Sequence, residues 1–124
     1  MNTMTRFLCL LLLSTIALLA DVTGKWTGSF DVTGPDGSVK NNTALLDLKQ
    51  DGNTLTGTAG PNESEQMSIR AGKIDGNKIL FEVALEDGTV IKFDLAFADE
   101  HIKGTANGEH EGQKMTAKLD VKRQ

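Results

Sequence analysis

From Val22 to Val121 the chain alternates apolar with polar residues, and no window in it carries the 3.6-residue period of a helix. Successive residues of a strand point to opposite faces, so this alternation means strands buried on one side only. In residues 22–30, Val22, Gly24, Trp26, Gly28 and Phe30 share one face, and Thr23, Lys25, Thr27 and Ser29 share the other. Trp26 is the only tryptophan in the chain. Gly24 and Gly28, two residues to either side, leave its indole room to lie flat, so Trp26 is expected to plug one end of the fold. Turn signals rich in Gly, Asp, Asn and Pro then recur every ten or so residues, at 33–37, 51–53, 60–66, 75–77, 87–89, 99–100 and 109–112. The segments between them place Ala44, Leu46 and Leu48; Leu55 and Ala59; Met67, Ile69 and Ala71; Ile79, Phe81, Val83 and Leu85 on inward faces. The later segments add Ile91, Phe93, Leu95 and Phe97; Ile102, Ala106 and Gly108; and Met115, Ala117, Leu119 and Val121. The expected fold is all-β, a single antiparallel up-and-down barrel of about eight strands.

Register follows from matching the inward faces. A two-residue turn at Asp99-Glu100 sets Phe97 against Ile102, Leu95 against Gly104 and Phe93 against Ala106, with large residues facing small ones. At Asp87-Gly88 a two-residue turn would set Val83 against Lys92, so a three-residue loop including Thr89, with Val83 facing Phe93, is expected instead. The hairpin starting at Leu46-Asp47-Leu48 echoes the one starting at Phe93-Asp94-Leu95, each returning through Gly-Thr-Ala. Two copies fall short of the ~3 repeats a solenoid needs, so this is a reused hairpin.

The chain has 124 residues. Its first twenty read as a secretory leader: Arg6 supplies the positive region, 7–13 and 16–19 are apolar, and Ala20 or Ala17 offers a cleavage position. The apolar run is short against the ~20 residues of a membrane span. Cys9 lies in it without a lipoprotein box, so no lipid anchor is expected. Residues 21–124 are then one β-barrel domain without cysteine, secreted or periplasmic, held by its core alone. Loss of Arg6 takes the 13 basic residues to 12, against 17 acidic, a net charge of −5. No basic cluster exists, which argues against nucleic acid and, once the leader is gone, against membrane surfaces as partners.

Gly24-x-Trp26 on a first strand resembles the calycin group, the lipocalins and avidins. Thr23-Gly24-Lys25-Trp26-Thr27 and Asp51-Gly52-Asn53-Thr54-Leu55-Thr56-Gly57-Thr58 look like the first strand and second hairpin of avidins, over about a fifth of the chain. The resemblance implies a barrel and gives Gly24 and Trp26 structural roles. It does not imply biotin: where avidins carry an Asn two residues after the Trp this chain has Gly28, where they carry a Tyr it has Ala59, and their further tryptophans are missing. The chain also looks like small bacterial secreted domains that open with Gly-x-Trp-x-Gly, a likeness that implies no known activity.

Chemistry-bearing residues are sparse. His101 and His110 each sit among acids, but at ~3.3 Å per residue they lie about 30 Å apart and cannot share an ion, so solvated turns are expected and no metal site. Nucleophile motifs and phosphate loops are absent, and Ser29, Asp47 and Asp94 fall on outward faces, so neither catalytic residues nor a cofactor are expected. Asn41-Asn42-Thr43 and Asn62-Glu63-Ser64 are glycosylation sequons that matter only in a eukaryotic source. Outward faces are polar apart from exceptions such as Leu45 and Leu80, which points to a monomer. Sorting inward residues by level fills the Trp26 end and leaves Val32, Ala44, Ala59, Met67, Ala106, Gly108 and Met115, with Leu85 and Ile91, at the end where the longer loops gather. That end is expected to form a shallow cup for a small apolar or amphipathic ligand, lined by Val32, Ala44, Ala59, Met67, Leu85, Ile91, Ala106 and Met115. The alternative is a solid core in an interaction module that docks on a cell-envelope glycan or a secreted protein. A barrel with no cavity above roughly 300 Å³ would remove the small-molecule reading and leave the second.

Overall fold

Eight strands follow one another through hairpin turns: β1 (Gly24–Thr33), β2 (Val39–Asp51), β3 (Thr54–Asn62), β4 (Glu65–Asp75), β5 (Lys78–Ala84), β6 (Val90–Ala98), β7 (His101–His110) and β8 (Gln113–Arg123). The computed structural model describes residues 21–124; the expected leader lies outside the described residues. Each strand pairs antiparallel with its chain neighbours, and β8 returns to β1, with Gly28 opposite Val121 and Phe30 opposite Leu119. The sheet therefore closes into a single eight-stranded up-and-down barrel, compatible with a calycin-like fold.

The turns follow from their residues. Gly52-Asn53 and Gly76-Asn77 connect β2–β3 and β4–β5, each with its glycine at φ +62°. Asp99-Glu100 connects β6–β7 with both residues at positive φ, the mirror-image turn whose twist suits a hairpin. The β6–β7 register is the expected one, with Phe97 facing Ile102, Leu95 facing Gly104 and Phe93 facing Ala106. The β5–β6 register differs from expectation: Val83 faces Ile91, and Phe93 faces Phe81. The three-residue loop there is Glu86-Asp87-Gly88, closed by Leu85 N–H donating to the Thr89 carbonyl at 2.8 Å. A loop of this kind ends on a left-handed residue, which Gly88 supplies at φ +92° and a β-branched threonine resists. Thr89 thereby closes the loop against Leu85, just before β6, and is 4% exposed.

Two bulges in β4 and β3 change which residues face inward. Across β3–β4 and β4–β5 the register shifts at Ala71-Gly72, and Ala71 takes φ 53°. The extra residue flips the alternation, so Ala71, expected inward, is exposed, while Ile74 enters the core. In the second bulge Gly60-Pro61 of β3 oppose the single Gln66 of β4. Proline has no N–H to donate and is accommodated at such a break. Beyond it the β3–β4 hairpin bends outward: Glu63, at its tip, lies 3.9 Å from Lys25 on the outer face of β1. Leu45, expected to be an exposed outer residue, is buried under this hairpin yet lies outside the inner core. Gln66 Nε2 donates to the Leu45 carbonyl at 3.2 Å and holds the bend.

The core fills the barrel from the end carrying the termini and the β2–β3, β4–β5 and β6–β7 turns. Trp26 is fully buried there, its Nε1–H donating to the Val22 carbonyl at 2.9 Å and its ring meeting Phe97 edge-on at 5.8 Å. Arg123 covers the indole from the solvent side, its guanidinium 4.4 Å from the ring centroid. The same guanidinium donates to the carbonyls of Thr23 and Asp21 at 2.8 and 2.9 Å, fastening the last strand to the entry of the first.

Candidate ligand-binding cup

At the opposite end, where the β1–β2, β3–β4, β5–β6 and β7–β8 hairpins gather, the barrel is not filled. A cavity of about 280 Å³ opens there. Its floor is aromatic: Phe93 lies between Phe81 and Phe30, stacked at 4.6 and 6.0 Å between ring centroids. Its walls are Ala44 and Leu46 of β2, Ala59 of β3, Met67 of β4, Val83 and Leu85 at the end of β5, and Ile91 of β6. Only Asn42 and Thr43 bring polar side chains to it, both near the lip, and no charged residue lines it.

The opening has a structural cause. β2 pairs with β1 from Val39 to Leu48, but its pairing with β3 begins only at Leu45–Gly60. Residues 39–44 of β2 thus have a strand on one side alone, because β3 leaves the barrel wall at the Gly60-Pro61 bulge. Gly60 has no substitute here, since a Cβ would collide with the Glu65 carbonyl oxygen. The outward bend that buries Leu45 also holds the cup open between β2 and β3, with Thr43 Oγ1 donating to the Pro61 carbonyl at 2.8 Å across the gap.

Of the residues expected to line a cup, Ala44, Ala59, Met67, Leu85 and Ile91 do border this cavity. Val32, Ala106 and Met115 do not. Val32 packs half-buried against the core beside it. Ala106 is 1% exposed and faces Phe93 and Ala117, so the aromatic floor covers it. Met115 lies beyond the part of β8 that pairs with β1 and, opposite Gly108 of β7, borders a separate outer groove with Lys92 and Lys114. Strand tilt explains the difference: in a barrel the register staggers around the wall, so residues at equal distances from their turns do not lie at one level. The same stagger brings Phe30, Phe93 and Leu119 to the cup, although Leu119 counted from its turn belongs to the filled end.

The histidines occupy opposite ends of β7. His101 Nδ1 lies 2.7 Å from Asp120 Oδ1 on the outer face. His110 stands at the cup end, its Nδ1 3.0 Å from Thr89 Oγ1 and 3.4 Å from Asp87 Oδ2. A nucleophile–base–carboxylate relay uses both ring nitrogens, whereas Thr89 and Asp87 approach the same one. Among the described residues no three His, Cys, Asp or Glu side chains converge as metal ligands. Asp87 instead serves its own hairpin: it accepts the Thr89 backbone N–H at 2.9 Å, and that bond, helped by the Thr89 side chain and His110, holds its carboxyl below the usual carboxylate range. Asp36 does the same in the β1–β2 loop, where the Ser38 hydroxyl and backbone N–H lower it.

Comparison of the chain with known protein families, curated proteins and solved structures returns no match. Position 28 adds a geometric reason why an avidin-type site is not carried over. A Cβ on Gly28 would collide with the Asp120 carbonyl oxygen of β8, so the asparagine found there in avidins has no room.

Proposed function

We propose that this protein is a secreted or periplasmic, non-catalytic binder, an outlying barrel of calycin type whose cup receives a small apolar or amphipathic molecule. The observation that carries this reading is the uncharged, aromatic-floored cavity held open by the β3–β4 bend. At about 280 Å³ the cavity falls below the roughly 300 Å³ limit expected of a ligand pocket, which removes a cup that encloses a whole small molecule. The cavity is nonetheless larger than the ~150 Å³ apolar cavity that suffices for benzene. A whole drug-sized molecule does not fit; an apolar group does, with the remainder of its molecule outside the lip. The test is native mass spectrometry of protein purified from its own source, where a co-purifying small molecule is expected, lost in Ala59→Leu. Ala59 is buried and borders the cavity, so leucine there fills the cup.

A second reading is docking on an envelope glycan or a secreted protein. It is favoured by the one-sided edge of β2 and by Val39, 59% exposed on that edge. A mass spectrum free of small molecules, together with unchanged function in Ala59→Leu, would move the assignment to this edge.

A further inference from the structure

Charge is distributed along the barrel axis in a way that composition alone does not reveal. The four hairpin tips around the cup carry Asp36 and Lys40 (β1–β2), Glu63 and Glu65 (β3–β4), Glu86 and Asp87 (β5–β6), and Glu109, Glu111 and Lys114 (β7–β8). That is seven acids against two lysines, a net charge of −5. The other described residues hold ten acids and ten bases and are balanced. Glu63 is turned away onto the outer face of β1 beside Lys25, so six acids stand against two lysines around the mouth of the cup, a net charge of −4. Some of these acids have structural duties: Asp36 and Asp87 cap their hairpins, Glu65 accepts from Asn62, and Glu63 approaches Lys25. Glu86 and Glu109 form no ion pair among the described residues, Glu109 standing opposite Lys114 and bordering the outer groove with it and Lys92, and Glu111 approaches only His110, at 3.9 Å. Fields from like charges around a low-dielectric opening add, and they select the sign of what enters.

Resting on the reading of the cup as a binding site, we infer that its ligand is an amphipathic cation: an apolar or aromatic group in the cup, joined to an ammonium-type group that remains among the acids of the rim. The site is the cavity; the acids discriminate among the apolar molecules it could hold. One feature opposes them. Lys40 faces Val32 and Asn42 faces Phe30 across β1–β2, so Lys40 shares the inner face of the barrel, just beyond the Asn42 lip. An anionic head group would need Lys40 to outweigh the acids of the other tips.

Three probes with one tail and different heads decide the matter: hexyltrimethylammonium, hexanol and hexyl sulfate, titrated calorimetrically against the protein expressed as its full chain. The cation is expected to bind about tenfold more tightly than the alcohol at low salt and the sulfate more weakly than either, with the spread shrinking as the Debye length falls to ~3 Å near 1 M salt. The triple variant Glu86→Gln/Glu109→Gln/Glu111→Gln removes carboxylates without structural hydrogen bonds and is expected to lose most of the preference while binding hexanol unchanged. Equal binding of cation and alcohol, or preference for the sulfate, overturns the inference and leaves the cup reading standing. Failure of all three probes to bind, or binding that survives Ala59→Leu, overturns the cup reading itself.

Discussion

Trp26 shows how one side chain closes an end of the barrel. It needs a hydrogen-bond acceptor for its buried N–H, a partner at its edge and a cover on its face, and it finds them in Val22, Phe97 and Arg123. Trp26→Ala is expected to cost about 3–5 kcal/mol in denaturant unfolding. Arg123→Lys keeps the charge but loses the planar fork that holds two carbonyls while stacking, and is expected to cost about 1 kcal/mol by the same measurement. Ala71 is the reverse case. It is exposed, and at φ 53° it occupies a conformation that disfavours every residue with a Cβ. Ala71→Gly is expected to stabilise the protein by about 0.5–1 kcal/mol, read as a rise of a few degrees in thermal midpoint. Unchanged or reduced stability would mean that the bulge is not held in this geometry.

At the scale of elements, hairpins are fixed by short hydrogen-bonded caps. Asp21, Asp36 and Asp87 each accept the backbone N–H of the residue two positions on, Thr23, Ser38 and Thr89, and each carboxyl is held below its usual range. A carboxyl whose folded pKa is depressed binds fewer protons folded than unfolded, so its contribution is present above the ordinary carboxylate pKa and is lost as pH falls through the folded value. Thermal midpoints are therefore expected to decline below about pH 4. Asp36→Asn/Asp87→Asn should flatten that decline, and an unaltered profile would locate acid sensitivity elsewhere. The β3–β4 hairpin is the other decisive element. Gly60→Ala forces the Cβ against the Glu65 carbonyl and should release the bend, exposing Leu45; a gain in binding of an apolar dye is the expected signature.

For the whole molecule, closure leaves no full-length edge, and the outer faces carry polar residues with few exceptions, Leu80 being 40% exposed. The one-sided stretch of β2 is short and carries Lys40, which discourages strand-to-strand association. A monomer is the expected result of size-exclusion chromatography with light scattering. A stable tetramer would overturn that expectation.

Period-two alternation and regularly spaced turn residues determined the eight antiparallel strands, because side-chain direction along a strand is a local property of the backbone. The same alternation, with large residues set against small, determined the β6–β7 register at Asp99-Glu100. The β5–β6 loop is also set locally, by the left-handed position that Gly88 suits and Thr89 resists. Two things were decided only by tertiary structure. The bulge at Ala71-Gly72 inverted the faces of half a strand, since a single extra residue reverses a period of two. The cup itself depends on strand stagger and on the outward bend at Gly60-Pro61, which place Phe30, Phe93 and Leu119 beside Ala59 and leave Ala106 beneath the floor. Neither is legible in one strand's pattern, because both describe how strands stand relative to one another around a closed wall.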